Sequence, residues 1–157
     1  MITIPDEIVA LLRGFPHSGA HEQAFPFLSV DAVGYPHSAL LSRAELEPSA
    51  DSATLLAVVA SSRTRMNVQR SSTAALIAVD GLVCHHLKLE MMASVSAGDV
   101  LGCVFVPVEH KRDNIGIAMQ PLSFHVTPDL AVREDWPRSA AMFSRLQALL
   151  RKRDELR

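Results

Sequence analysis

Residues 54–79 read TLLAVVASSRTRMNVQRSSTAALIAV, two apolar runs around one polar segment. The runs Thr54–Ala60 and Thr73–Val79 are short and nearly continuous, the pattern of strands buried on at least one face. Between them Ser62 is placed to cap a helix, and Arg63 to Arg70 leaves room for about two helical turns. The helix's first turn leaves backbone N–H groups unpaired. With the adjacent Ser and Thr hydroxyls and an arginine, these groups suit a phosphate. From Ser52 to Val79 the charged residues are Arg63, Arg65 and Arg70, with no acid, so the local field favours an anion. An ordinary capped helix with solvated arginines fits the same residues, and the segment alone leaves both readings open.

The 157 residues point to one domain with a core large enough to fold without staples. A net charge of −2 argues against a protein that coats nucleic acid, and against reading the terminal Arg151-Lys152-Arg153 as more than a solvated helix end. Cys84 and Cys103 sit inside apolar runs without CxxC spacing, as buried thiols in a reducing compartment do. No basic-then-apolar leader and no apolar run of membrane-spanning length is present, so the expected location is cytoplasmic, with no membrane partner.

Along the chain, Ile4, Ile8, Leu11 and Leu12 fall at helical spacing, with Thr3 as cap and Gly14 as stop, giving an N-terminal helix within residues 1–14. Phe15–Gln23 reads as loop. Ala24–Val30 and Tyr35–Ser42 read as a hairpin turned by Asp31-Ala32-Val33-Gly34. Arg43–Ser52 reads as a polar connection. Asp80-Gly81 is a strong hairpin signal, leading into a long strand, Leu82–Val95, whose Val83, His85, Leu87, Leu89, Met91, Ala93 and Val95 share one parity. Ala97-Gly98-Asp99 turns the chain into Val100–Val108. An irregular Glu109–Gly116 and a strand over Pro121–Thr127 follow. The last element, within residues 135–155, is a helix capped by Asp135 with Met142, Phe143, Leu146, Leu149 and Leu150 on one stripe. Six or more antiparallel strands over residues 24–127 with peripheral helices make a mainly β protein, a β-barrel whose edges are closed or covered by a second subunit.

Three stretches together resemble the pyridoxamine 5′-phosphate oxidase-like family of FMN-binding split barrels. They are PFLSVDAVGYPHSALLS (Pro26 to Ser42), SSRTRMNVQRS (Ser61 to Ser71) and ALIAVDGLVCHHLKLEMMASV (Ala75 to Val95), and from first to last they span about half of the chain. The resemblance implies a split β-barrel of the FMN-binding type, a homodimer with FMN in clefts at its interface, and a flavin-dependent oxidoreductase acting on a small substrate. It places Ser61, Ser62, Arg63 and Thr64 at the phosphate and Asn67 as the residue that holds the loop. It runs Ser38, Ala39 and Leu40 along the flavin ring, sets His37 and Ser42 where the oxidases use basic residues, and has Ala57 and Val58 lining the flavin from the next strand. Thr64 and Ser42 replace lysines common in the family, removing two charge-assisted phosphate partners. Trp136 and the ending RKRDELR do not match the oxidases' substrate-binding stretch, so pyridoxamine phosphate oxidase activity itself is not implied.

The catalytic residues stay unassigned; His37, His86 and Lys88 are the candidates to act near the flavin ring. His85 and His86 are adjacent on a strand and point to opposite faces, so they cannot share an ion, and no metal site is expected. Two other readings stand beside the oxidoreductase. One is a dimer that binds flavin weakly or not at all, as a sensor or structural protein. The other is a haem-binding barrel with His86 or His125 as axial ligand.

Overall fold

In the computed structural model, which describes residues 2–13 and 21–155, the two apolar runs on either side of the inserted helix are both interior strands of one sheet. Chain order is α1 (Asp6–Leu12), β1 (His21–Gln23), β2 (Phe25–Val30), β3 (Pro36–Leu41), β4 (Leu46–Pro48), β5 (Leu55–Val59), α2 (Ser62–Ser71), β6 (Thr73–Asp80), β7 (Val83–Ala97), β8 (Val100–Asp113), β9 (Ser123–His125), α3 (Pro128–Arg133) and α4 (Trp136–Asp154). Seven strands form an antiparallel sheet in the order β3-β2-β6-β7-β8-β5-β4, and β1 pairs with β9 in a separate ribbon. The protein is mainly β, as the sequence pattern predicts. The predicted stop at Gly14 and most of the Phe15–Gln23 loop lie outside the described residues.

The sheet curls. Phe27 on β2 and Phe105 on β8 are separated by two strands in sheet order, yet their rings meet edge to face at 5.7 Å across the interior. One buried cluster fills this space with side chains from β2 through β8, Val68 of α2, and Ile4, Ile8 and Leu12 at the α1 end. The terminal strands β3 and β4 both send a residue into it, Leu41 and Leu46, but share no ladder. The barrel is therefore split between them, and the Ser42–Glu45 turn spans the gap, closed by Glu45 N–H donating to the Ser42 carbonyl at 3.0 Å.

A second cluster forms on the outer face, where Met142, Phe143 and Leu146 of α4 cover Leu56, Val58, Val100 and Val104. Gly102 makes this close approach possible. A β-carbon there would lie 2.3 Å from Met142 Sδ and 2.6 Å from its Cγ.

Several elements differ from the sequence reading. The α1 cap is Pro5, without a side-chain bond, rather than Thr3; Ile4 instead donates its N–H to Ser52. Within the polar connection, Leu46–Pro48 forms β4; it pairs only with β5, and a terminal strand tolerates the proline. β8 runs on to Asp113, because past Val108 its alternation is carried by cross-strand charges such as Lys88–Glu109 at 2.8 Å instead of apolar residues. A register shift between Met91 and Ala93 moves the odd-numbered residues of β7 to the outer face, so Ala93 and Val95 pack under α4 while Leu87 and Leu89 fill the barrel. The predicted strand Pro121–Thr127 shrinks to Ser123–His125, which has no core to face. Thr127 instead caps α3, accepting from Leu130 N–H at 3.3 Å.

Candidate functional site

The inserted helix begins one residue earlier than Ser62 as cap would give. Ser61 is still outside the helical region, and its Oγ accepts the Thr64 N–H at 3.4 Å, so Ser62 opens the helix; two adjacent serines leave this choice to tertiary packing. At the other end Ser72, at φ +57°, donates its N–H to Val68.

Residues three apart on one side of α2 lace it to the β2–β3 hairpin. Thr64 Oγ1 is 3.2 Å from His37 Nε2 on β3. Asn67 Nδ2 donates to Ser29 Oγ on β2 at 3.0 Å, with both residues buried. The Arg70 guanidinium donates to the Val30 carbonyl at the hairpin's end. The turn beyond is rigid: Asp31 accepts from Val33 and Tyr35 N–H at 3.0 and 2.9 Å, and Gly34 adopts φ +96°. The Tyr35 N–H holds the Asp31 carboxyl below its usual range, with the Arg70 charge adding to the effect.

This lacing decides which groups of α2 face outward. Thr64 is fully buried and engaged with His37, and Asn67 is committed to Ser29. Ser62 and Arg63 stand exposed in the first turn. Their N–H groups precede those of Thr64 and Arg65, which bond back to Ser61 Oγ and Ser61 O. The start of α2 therefore brings two N–H groups without an intrahelical acceptor, two exposed serines and the exposed Arg63 into one helical turn, and no acid occurs in α2. Arg65 is half-buried, and its Nε has no partner.

β3 is a terminal strand, so one of its edges has no strand partner; along it His37 and Ala39 are half-buried while Ser38 and Leu40 are exposed. Ser42 does not continue this line. It is buried, its Oγ donates to Glu45 Oε2 at 3.0 Å and accepts from Ala44 N–H, and it serves the turn across the split. Ala57 and Val58, expected to line a cleft, point to opposite faces of β5, into the barrel interior and under α4. The barrel interior covers Ala57 and α4 covers Val58, which leaves neither side chain open.

His86 and Lys88 lie on the outer face of β7 and are paired across to β8, His86 with Asp113 at 3.1 Å and Lys88 with Glu109. Two strands separate β7 from β3, so within one chain they do not join the α2 corner. Cys84 Sγ is 3.6 Å from His86 Nε2, and burial, then Asp113, pushes the thiol's pKa up. Among the described residues no set of three or more His, Cys, Asp and Glu side chains could hold a metal ion.

A pocket of about 140 Å³ opens where the far end of β3 and the Ser42–Glu45 turn meet the C-terminal helices. Leu40, Phe124, Leu130 and Trp136 form its apolar walls, with Ser42, Glu45 and Glu134 as its polar groups. No local motif marks it, because its residues come from three distant stretches. Burial pushes the Glu45 carboxyl up from 4.5 to about 6, against the opposing hydrogen bonds from Ser42. With the folded pKa above the unfolded one, this group's contribution is fully present below pH 4.5 and is lost as pH rises through about 6. Glu45→Gln, whose carbonyl still accepts from Ser42, is therefore expected to stabilise the protein by about 2 kcal/mol near pH 8 and by almost nothing near pH 4. Urea unfolding at the two pH values checks this; equal effects at both would remove the assigned cost.

No protein-family model matches the sequence, and no curated protein matches it. Among solved structures, HupZ of Group A Streptococcus aligns with TM-score 0.54 at 14% identity, over 74% of this chain and 99% of its own. The NADH:FAD oxidoreductase SgcE6 of Streptomyces globisporus C-1027 aligns with TM-score 0.52 at 10% identity, over 82% and 98%. An F420 reductase aligns with TM-score 0.51 at 10% identity, over 69% and 98%. At such identities the likeness is one of fold, and the fold is the split barrel that the hairpin and helix motifs resemble.

Proposed function

We propose that this chain is a flavin-binding split-barrel domain that works as an oxidoreductase on a small substrate, with FMN as its cofactor. The observation that carries the reading is the corner at the start of α2. Hydrogen bonds to β2 and β3 fix the helix, and the two N–H groups and the guanidinium left outward are the donor set a terminal phosphate needs. Ser61 shapes the corner as cap, Ser62 and Arg63 supply donors, and Asn67 holds the helix in place. His37 fixes Thr64 from the β3 side. The free edge of β3, Ser38 to Leu40, gives a planar ring backbone groups to lie against.

Two solved structures with this fold are named as reductases, one of FAD and one of F420, which supports redox chemistry on a flavin-type ring. FMN is the proposed cofactor because it ends in the one phosphate that these donors suit. Bound flavin supplies reversible electron transfer, and the chain supplies grip, orientation and exclusion of water. Val33, Tyr35 and Leu40 are 78%, 70% and 58% exposed on the β2–β3 hairpin, apolar surface that a second copy of the chain would cover in a homodimer. Among the described residues no helix is long and apolar enough to cross a membrane; the proposed location is the cytoplasm.

A second reading, a dimer that holds flavin weakly as a sensor, draws on one finding: Thr64 and Ser42, at the lysine positions, are buried and already bonded within the chain. Titrating the full chain with FMN and following the flavin absorbance separates the two. The oxidoreductase is expected to give a saturable spectral shift and, once loaded, to be bleached by NADH or NADPH and to recover in air, whereas the sensor shifts only at high FMN and is not bleached by either. An unshifted spectrum across the titration would overturn it.

A further inference from the structure

We propose that the pocket bounded by Leu40, Glu45, Phe124, Leu130, Glu134 and Trp136 is a binding site for a small organic cation, an ammonium group carried on an aromatic or alkyl body. Three features of the pocket lead there. Its walls are largely apolar, and two of them are aromatic rings, which attract a cation through their π faces as well as burying its hydrocarbon part. Among the described residues, the ionisable groups that line it are two carboxylates, Glu45 and Glu134, and no cationic side chain is part of the lining. Arg138, the nearest cation acting on Glu45, is engaged elsewhere, with Asp99 at 2.8 Å and Asp135 at 3.7 Å.

The carboxylate is also held in place. Glu45 Oε2 accepts from both Ser42 N–H at 2.8 Å and Ser42 Oγ at 3.0 Å, within the turn that spans the split of the barrel. Its burial makes ionisation costly, and a guest cation would offset that cost as a surface counter-ion does not. The pocket lies at the Leu40 end of β3, whereas His37 meets α2 at the other end, a separation of about 10 Å at the usual strand rise. Leu40 is shared with the edge proposed to meet the flavin ring, so binding is tested on the chain without flavin, and it does not depend on the α2 corner.

Trp136 is the only tryptophan in the sequence and is nearly buried in the pocket wall, so its emission reports occupancy directly. The test titrates the flavin-free full-length chain at fixed ionic strength with benzylammonium chloride, benzyl alcohol and sodium benzoate, following Trp136 fluorescence. Benzylammonium is expected to give a saturable change, with benzyl alcohol and benzoate at least about tenfold weaker. Glu45→Gln and the exposed Glu134→Gln are each expected to weaken benzylammonium by about fivefold or more, while leaving benzyl alcohol unchanged. Glu134, at the surface, can be replaced without disturbing the core. A response to benzyl alcohol as strong as that to benzylammonium, no saturation, or unchanged affinity in both variants would overturn the proposal.

Discussion

Phe105→Ala is expected to cost about 3–5 kcal/mol of folding stability, a large share of what a domain of this size has to lose. Phe105 is fully buried, sits beside the β7 register shift opposite Met91, and meets Phe27 across the barrel. Removing its ring opens a cavity in the barrel interior and ends the Phe27–Phe105 contact that ties β2 to β8. Val108→Ala, on the same strand but 44% exposed, should change stability by less than about 0.5 kcal/mol. Urea unfolding followed by circular dichroism measures both. A Phe105 loss below about 1 kcal/mol would mean that the interior is open rather than filled. The consequence reaches the candidate site, because β2 carries the Ser29 anchor of α2.

Arg63→Ala is expected to weaken FMN binding by about 1.5–3 kcal/mol, roughly ten- to a hundredfold, while leaving the fold intact. The side chain is exposed in the first turn of α2, so its removal leaves no cavity and no buried group unpaired. Arg70→Ala is the matched control. Its guanidinium is spent on the Val30 carbonyl two turns further along the helix, and its loss should change FMN affinity by no more than about threefold. Flavin fluorescence quenching reads both. Equal losses would point to diffuse positive charge and away from a pocket that Arg63 completes.

How much of this was legible in the sequence depends on the range of the interactions. The β5–α2–β6 unit was readable because two buried strands and a helix start are local patterns, each set by adjacent residues. The Asp31–Gly34 and Asp80–Gly81 turns were readable for the same reason, since a left-handed glycine is a local requirement. The cap of α2 was displaced by one residue, because Ser61 and Ser62 are chemically alike and only the exit from β5 distinguishes them. The side-chain directions of Ala57, Val58 and Ser42 were not legible. A strand apolar on both faces gives no sign of which face meets a cleft, and Ser42 turns inward for Glu45, a partner in what reads as an unstructured connection. The parity of β7 holds up to Met91 and fails after it, since a bulge leaves no mark in the composition. The pocket at Glu45 was invisible, because Leu40, Phe124 and Trp136 meet only once the chain is folded.

The most direct measurement compares FMN with riboflavin, the same ring system without the phosphate, on the unmodified chain by absorbance titration. If the start of α2 grips the phosphate, FMN binds at least about tenfold more tightly than riboflavin, and the advantage shrinks with added inorganic phosphate. Equal affinity for the two would contradict it, whatever the colour of the protein.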